Sequence, residues 1–142
     1  MKKALYLHNY RTAEFNGLKI VVSLESEVEY LDSLEDIALT TGTVSLEKNG
    51  ESVYCDFQFY CDDTGFSEYV FIDCDWMNEN FQTLDKDEYY AFINCAPVPF
   101  TRSYDYETER KLYGVINQIT GELCEKVKPA IVEYIKEIKE ND

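Results

Sequence analysis

The chain has 142 residues, 45% apolar and 15% aromatic, which suits one folded domain whose core buries roughly two thirds of the unfolded surface. Its 28 Asp and Glu outnumber 13 Lys and Arg, for a formal net charge of −15. That balance argues against a free-standing nucleic-acid binder, because neutralising phosphates takes a surplus of cations.

The first residues, Met1-Lys2-Lys3-Ala4-Leu5-Tyr6-Leu7, begin like a signal peptide, but His8, Asn9 and Arg11 interrupt before an apolar run of the required length has formed. Apolar stretches such as Ile20-Val21-Val22 are far shorter than the roughly 20 residues of a membrane helix. The expectation is a soluble, cytoplasmic protein. Five cysteines, Cys55, Cys61, Cys74, Cys95 and Cys124, show no Cys-x-x-Cys pair and read as small buried apolar groups in a reducing compartment.

Residues 17–24 alternate Leu18, Ile20, Val22 and Leu24 against Lys19, Val21 and Ser23, the pattern of a strand with one buried face, and Leu5-Tyr6-Leu7-His8 is its candidate partner strand. Ser26 followed by Glu29 resembles a capping box, and Val28, Leu31, Leu34, Ile37 and Ala38 recur at helical spacing. These predict a short acidic helix over 27–39, ended by Gly42.

Asn49-Gly50 is the preferred pair for a two-residue type I′ hairpin. Folding about it sets Leu46 opposite Val53 and Val44 opposite Cys55, so that Val44, Leu46, Val53, Cys55, Phe57 and Phe59 share the inward face. Tyr54, Asp56, Gln58 and Tyr60 share the other. Asp62-Asp63-Thr64-Gly65 predicts a turn, 67–73 a central strand, and 88–95 a further strand before Pro97 and Pro99 end regular pairing.

From Ser103 the period becomes helical, with Tyr106, Tyr113, Ile116, Ile119, Leu123 and Val127 on one face and Ile131, Tyr134, Ile135 and Ile138 continuing it. Pro129 is expected to divide this stretch into two helices. The predicted fold is a single α+β domain over 1–142. Residues 1–99 form mainly an antiparallel sheet with one short helix, and 103–140 form two helices packed on one face of it.

The charge is unevenly placed. Residues 1–24 carry +3, 25–94 carry −16, 95–103 carry +1 and 104–142 carry −3. A nearly pure anionic middle folds against its own repulsion, which suggests a use for the charge.

Motifs for chemistry are few. A single histidine, His8, limits acid–base and Cys-His schemes, and no phosphate-cradling glycine loop, nucleophile elbow or dinucleotide fingerprint occurs. Asp73-Cys74-Asp75 resembles the start of a calcium loop, but Met77 and Asn78 stand where a further oxygen ligand and a glycine belong. No metal or cofactor is expected.

The leading expectation is a non-enzymatic acidic binding protein that occupies a basic, nucleic-acid-binding site on a partner protein, such as a nuclease. Anti-CRISPR and other anti-defence proteins and toxin-immunity proteins share this compositional style without sharing a motif. Glu35, Asp36, Asp56, Asp62, Asp63, Glu68, Asp73 and Asp75 are the expected charge carriers. Tyr54, Tyr60 and Trp76 are the expected contact anchors. Two other classes remain open: a housekeeping or structural domain whose acidity serves solubility, and an enzyme using a carboxylate pair or a divalent cation.

Overall fold

The computed structural model describes residues 4–31, 36–72 and 105–140. Six strands and one helix are present among them: β1 (Asn9–Phe15), β2 (Leu18–Leu24), β3 (Glu29–Leu31), β4 (Ile37–Lys48), β5 (Glu51–Cys61), β6 (Ser67–Ile72) and α1 (Tyr106–Glu140). The sheet is antiparallel with order β1-β2-β4-β5-β6, and β3 pairs with β4. The α+β class holds, with the strands first and the helix last.

Two Asn-Gly turns set the register. Asn49 and Gly50 have φ of 54° and 81°, as a type I′ hairpin requires, and pair Leu46 with Val53 and Val44 with Cys55 as the sequence predicts. Asn16 and Gly17 repeat the device at φ 49° and 80° and fold β1 onto β2. The partner of β2 is therefore Asn9–Phe15 and not Leu5–His8. The earlier segment instead meets the β2–β3 connection through a Tyr6–Glu27 bridge and through the Leu7 N–H, which donates to the Ser26 carbonyl.

The predicted acidic helix over 27–39 is replaced by strand. β2 and β3 lie along the same edge of β4, and between the pairs Ser23–Thr43 and Glu29–Leu39 the first strand advances six residues while β4 advances four. The two extra residues bulge, and Ser26 sits in the bulge. Its hydroxyl meets the Thr40 hydroxyl at 2.8 Å and donates to the Thr41 carbonyl at 3.2 Å, so it ties two strand segments instead of capping a helix. Gly42 ends nothing. It lies in mid-β4 opposite Phe57, whose ring occupies the space of a missing Cβ at 2.3 Å. A thin strand position beneath an aromatic ring is a known way to let a sheet curve.

The second correction concerns the C-terminus: one helix of 35 residues runs through Pro129, where two helices were expected. Proline removes one N–H bond and crowds the carbonyl four residues earlier. Pro129 is exposed, so that carbonyl, on Glu125, faces water. The apolar stripe Leu112, Tyr113, Ile116, Leu123, Val127, Ile131 and Ile135 keeps its phase through the proline, and its burial holds the helix straight on. Asp105 starts the helix: its carboxylate accepts the Thr108 N–H at 2.8 Å and titrates below the usual range because of the Thr108 bonds.

This stripe packs on the inward rows of the sheet: Leu18, Ile20, Val22 and Leu24 of β2, Val44 and Leu46 of β4, and Cys55, Phe57 and Phe59 of β5. Phe57, Tyr69 and Phe71 form an aromatic cluster with ring centroids 5.8–6.4 Å apart. β6 pairs with β5 and, among the described strands, is the last in the order, so the central position expected for 67–73 is not seen there. The predicted strand 88–95 lies outside the described residues.

Cys55 is disulfide-bonded, whereas Cys61 and Cys124 are buried and free. The expectation that all five cysteines serve only as reduced apolar groups fails at Cys55.

A continuous α1 predicts that Pro129→Ala restores a backbone bond and raises stability by up to about 3 kcal/mol, read by urea unfolding. A proline at the start of a second helix would give no gain.

Candidate partner-binding surface

Strand alternation sends every second side chain away from α1, and the register places these outward residues in rows across the sheet. One row runs Tyr10, Ser23, Thr43, Asp56 and Ile72 from β1 to β6. Flanking rows bring Thr12, Val21, Ser45 and Tyr54 together on one side, and Thr41, Gln58 and Val70 on the other. Tyr60 lies beside Glu68. The Thr43 hydroxyl donates to Asp56 at 3.3 Å, and the Tyr60 hydroxyl donates to Gln58.

Four of the expected site residues, Tyr54, Asp56, Tyr60 and Glu68, are thus brought onto one outer face. Tyr54 is 69% exposed and Tyr10 is 63% exposed. Tyr10 was missed by the sequence reading; the Asn16-Gly17 turn, read like Asn49-Gly50, would have placed it on this face. Most of the face is neutral hydroxyl and aromatic surface, the composition that gives rigid contact area with adaptable hydrogen bonding. Opposite charges pair in register at the hairpin end, Glu14 with Lys19 and Lys19 with Glu47.

A second group of expected carboxylates lies where β5 ends and β4 begins, and it serves the fold. The Asp62 carboxylate accepts the Thr64 hydroxyl at 2.6 Å, the Thr64 N–H at 2.9 Å and the Phe66 N–H at 3.1 Å. These bonds, the Thr64 hydroxyl first, hold its pKa below the usual carboxylate range and build the β5–β6 turn. Lys139, in the last turn of α1, donates to Asp63 at 2.8 Å and approaches Asp36 at 3.6 Å; the Tyr30 hydroxyl also donates to Asp36. One ammonium therefore ties the helix end to two connections of the sheet, and the Asp63 bond in particular raises its pKa. Glu35, Asp73, Asp75 and Trp76 lie outside the described residues.

Tyr69 points inward, and its hydroxyl donates to Asn117 of α1, at 3.1 Å to the carbonyl. Burial, with a smaller effect from Cys124, pushes its ionisation far above the ordinary tyrosine range.

Among the described residues nucleophilic chemistry has little to work with. Burial pushes the Cys61 thiol up to about 11 and the Cys124 thiol higher still, so neither offers a thiolate at neutral pH, and His8 is exposed. Among the described residues no group of three or more His, Cys, Asp or Glu could hold a metal. No family model, no curated protein and no solved structure matches the chain.

The lowered pKa of Asp62 fixes a pH dependence. A carboxylate whose folded pKa lies below its unfolded value stabilises the fold above about pH 4 and loses that contribution as pH falls through the folded value. Asp62→Asn is therefore expected to melt lower than the parent chain at pH 7, with the gap closing on acidification below about pH 4. A gap independent of pH would show that the charge of Asp62 does not matter to the turn.

Proposed function

We propose that the chain is a non-enzymatic acidic protein that binds another protein and blocks a basic, nucleic-acid-binding site on it, in the style of anti-CRISPR, anti-defence or toxin-immunity proteins. The observation that carries this reading is Tyr54, 69% exposed on a paired strand, with Asp56 next to it on the same face and Tyr60 and Glu68 further along that face. Tyrosine on a fixed backbone gives contact area at low entropic cost, and adjacent carboxylates suit lysine and arginine on the partner. The net charge of −15 steers encounter over longer range and weakens with salt. Asp36, Asp62 and Asp63 contribute to that field, but their direct partners are within the fold.

A second reading, a housekeeping or structural domain whose acidity serves solubility, is favoured by one observation. The described carboxylates nominated for binding divide between the outer face and the Lys139 end, where a phosphate mimic would gather them into one field.

The decisive experiment is a capture from host lysate at low and then high salt, with Tyr54→Ala and the pair Asp56→Lys with Glu68→Lys as variants. The binding reading expects a basic nucleic-acid-binding protein retained at low salt and released at high salt. The charge pair should slow association by about tenfold or more, and Tyr54→Ala should mainly speed dissociation. Unchanged affinity for both variants would transfer the case to the solubility reading.

Among the described residues no helix is long and apolar enough to cross a membrane. The proposal places the protein in the cytoplasm. Cys61 and Cys124, buried and free, suit that compartment, and the disulfide at Cys55 counts against it. Alkylation in intact cells followed by thiol counting decides. Cytoplasmic protein should show all five thiols reduced, and two fewer would point to an oxidising compartment.

A further inference from the structure

A cavity of about 750 Å³ lies between α1 and both outer described strands. Arg11 of β1 lines it, together with Phe59 of β5, Ser67 to Tyr69 of β6 and one side of α1 between Asn117 and Lys126. That the two ends of the strand order meet one cavity means that the sheet curls around the helix. The volume is that of an ordinary small-molecule site, which falls in roughly the 300–1,000 Å³ range. Phe59 and Tyr69 give it aromatic walls, and Gly121 leaves the helix side open: a Cβ there would come no closer than 3.6 Å to Tyr69.

The charges on the wall are the telling feature. Arg11, Lys126 and Glu122 line the cavity, and none of the three joins an ion pair among the described residues. Glu122 and Lys126 stand one helical turn apart, a spacing at which such pairs ordinarily close. Glu125, also on the wall, is neutralised by Lys128 at 3.5 Å. Two cations and an unpaired anion thus share one aromatic-walled space without meeting each other. A purely anionic ligand would be opposed by the glutamates and by the net charge of −15, and a purely cationic one by Arg11 and Lys126.

We propose that this cavity binds a small zwitterion with an apolar body, of the chemical class of a short free peptide. Its carboxylate is met by the guanidinium of Arg11, a planar donor matched to that group, and its ammonium by Glu122. The body lies against Phe59 and Tyr69. This site is separate from the outer face assigned to the partner, because the inward residue Tyr69 and the outward residue Tyr60 lie on opposite sides of the sheet.

The test uses the full chain and three probes with one body, followed by calorimetric titration: the dipeptide Phe-Leu, its N-acetyl form, which is only an anion, and its C-terminal amide, which is only a cation. Phe-Leu is expected to bind with one-to-one stoichiometry, and each blocked form at least about tenfold more weakly. Arg11→Gln should erase the preference for Phe-Leu over its amide while leaving the melting temperature unchanged. Gly121→Leu should fill the space and abolish binding, and Gly121→Ala, for which the helix has room, serves if the larger side chain unfolds the protein. Equal binding of the three probes, no binding of Phe-Leu up to about 10 mM, or full binding by both Gly121 variants would each overturn the proposal.

Discussion

Helix α1 carries an apolar stripe that runs unbroken from Leu112 to Ile138, and the rest of the fold is arranged to cover it. An isolated helix is marginal in water, and this one also bears an internal proline that costs it a backbone bond. What keeps it whole is the burial of the stripe against the inward rows of β2, β4 and β5. A flat sheet would touch a helix of this length along a narrow band, so the sheet must curve. Gly42 beneath the Phe57 ring, the bulge around Ser26 and the two Asn-Gly turns are the local features that accommodate that curvature.

Covering the helix leaves specific polar tasks at its ends and side, and the carboxylates are divided among them. Asp105 caps the first turn, and Lys139 in the last turn gathers Asp36 and Asp63. Asp62 spends its carboxylate on the turn that aims β6. Acidity that looks like a surplus in composition is therefore partly structural. The two outward carboxylates expected to bind, Asp56 and Glu68, sit among hydroxyls and tyrosines instead of in a block of like charge.

Where a short-range rule settles local geometry, the sequence was legible. Asn49-Gly50 fixed a turn, the turn fixed a register, and the register placed Tyr54, Asp56 and Tyr60 on one face. The same rule, left unapplied to Asn16-Gly17, would have identified β1 and Tyr10. Illegibility arose where two periods fitted the same letters. Val28, Leu31, Ile37 and Ala38 suit a helix taken alone, yet Ala38, Thr40, Gly42, Val44 and Leu46 alternate as a strand, and pairing along both edges of β4 outweighs a local capping pattern. Pro129 misled for a related reason. Its local cost is real, but it falls on a solvent-facing carbonyl, while the stripe that must stay continuous lies on the other side.

The same separation of faces governs what the molecule can recognise. The outer sheet surface offers tyrosines on a backbone already ordered by strand pairing, so binding there need not organise a loop first. The side toward α1 holds exposed charges of opposite sign around an aromatic-walled space without pairing them to each other. The exposed groups of both features lie outside the core that α1 demands. Substitutions at Tyr54 or Arg11 can therefore change binding while leaving the helix covered, which makes recognition separable from stability in this chain.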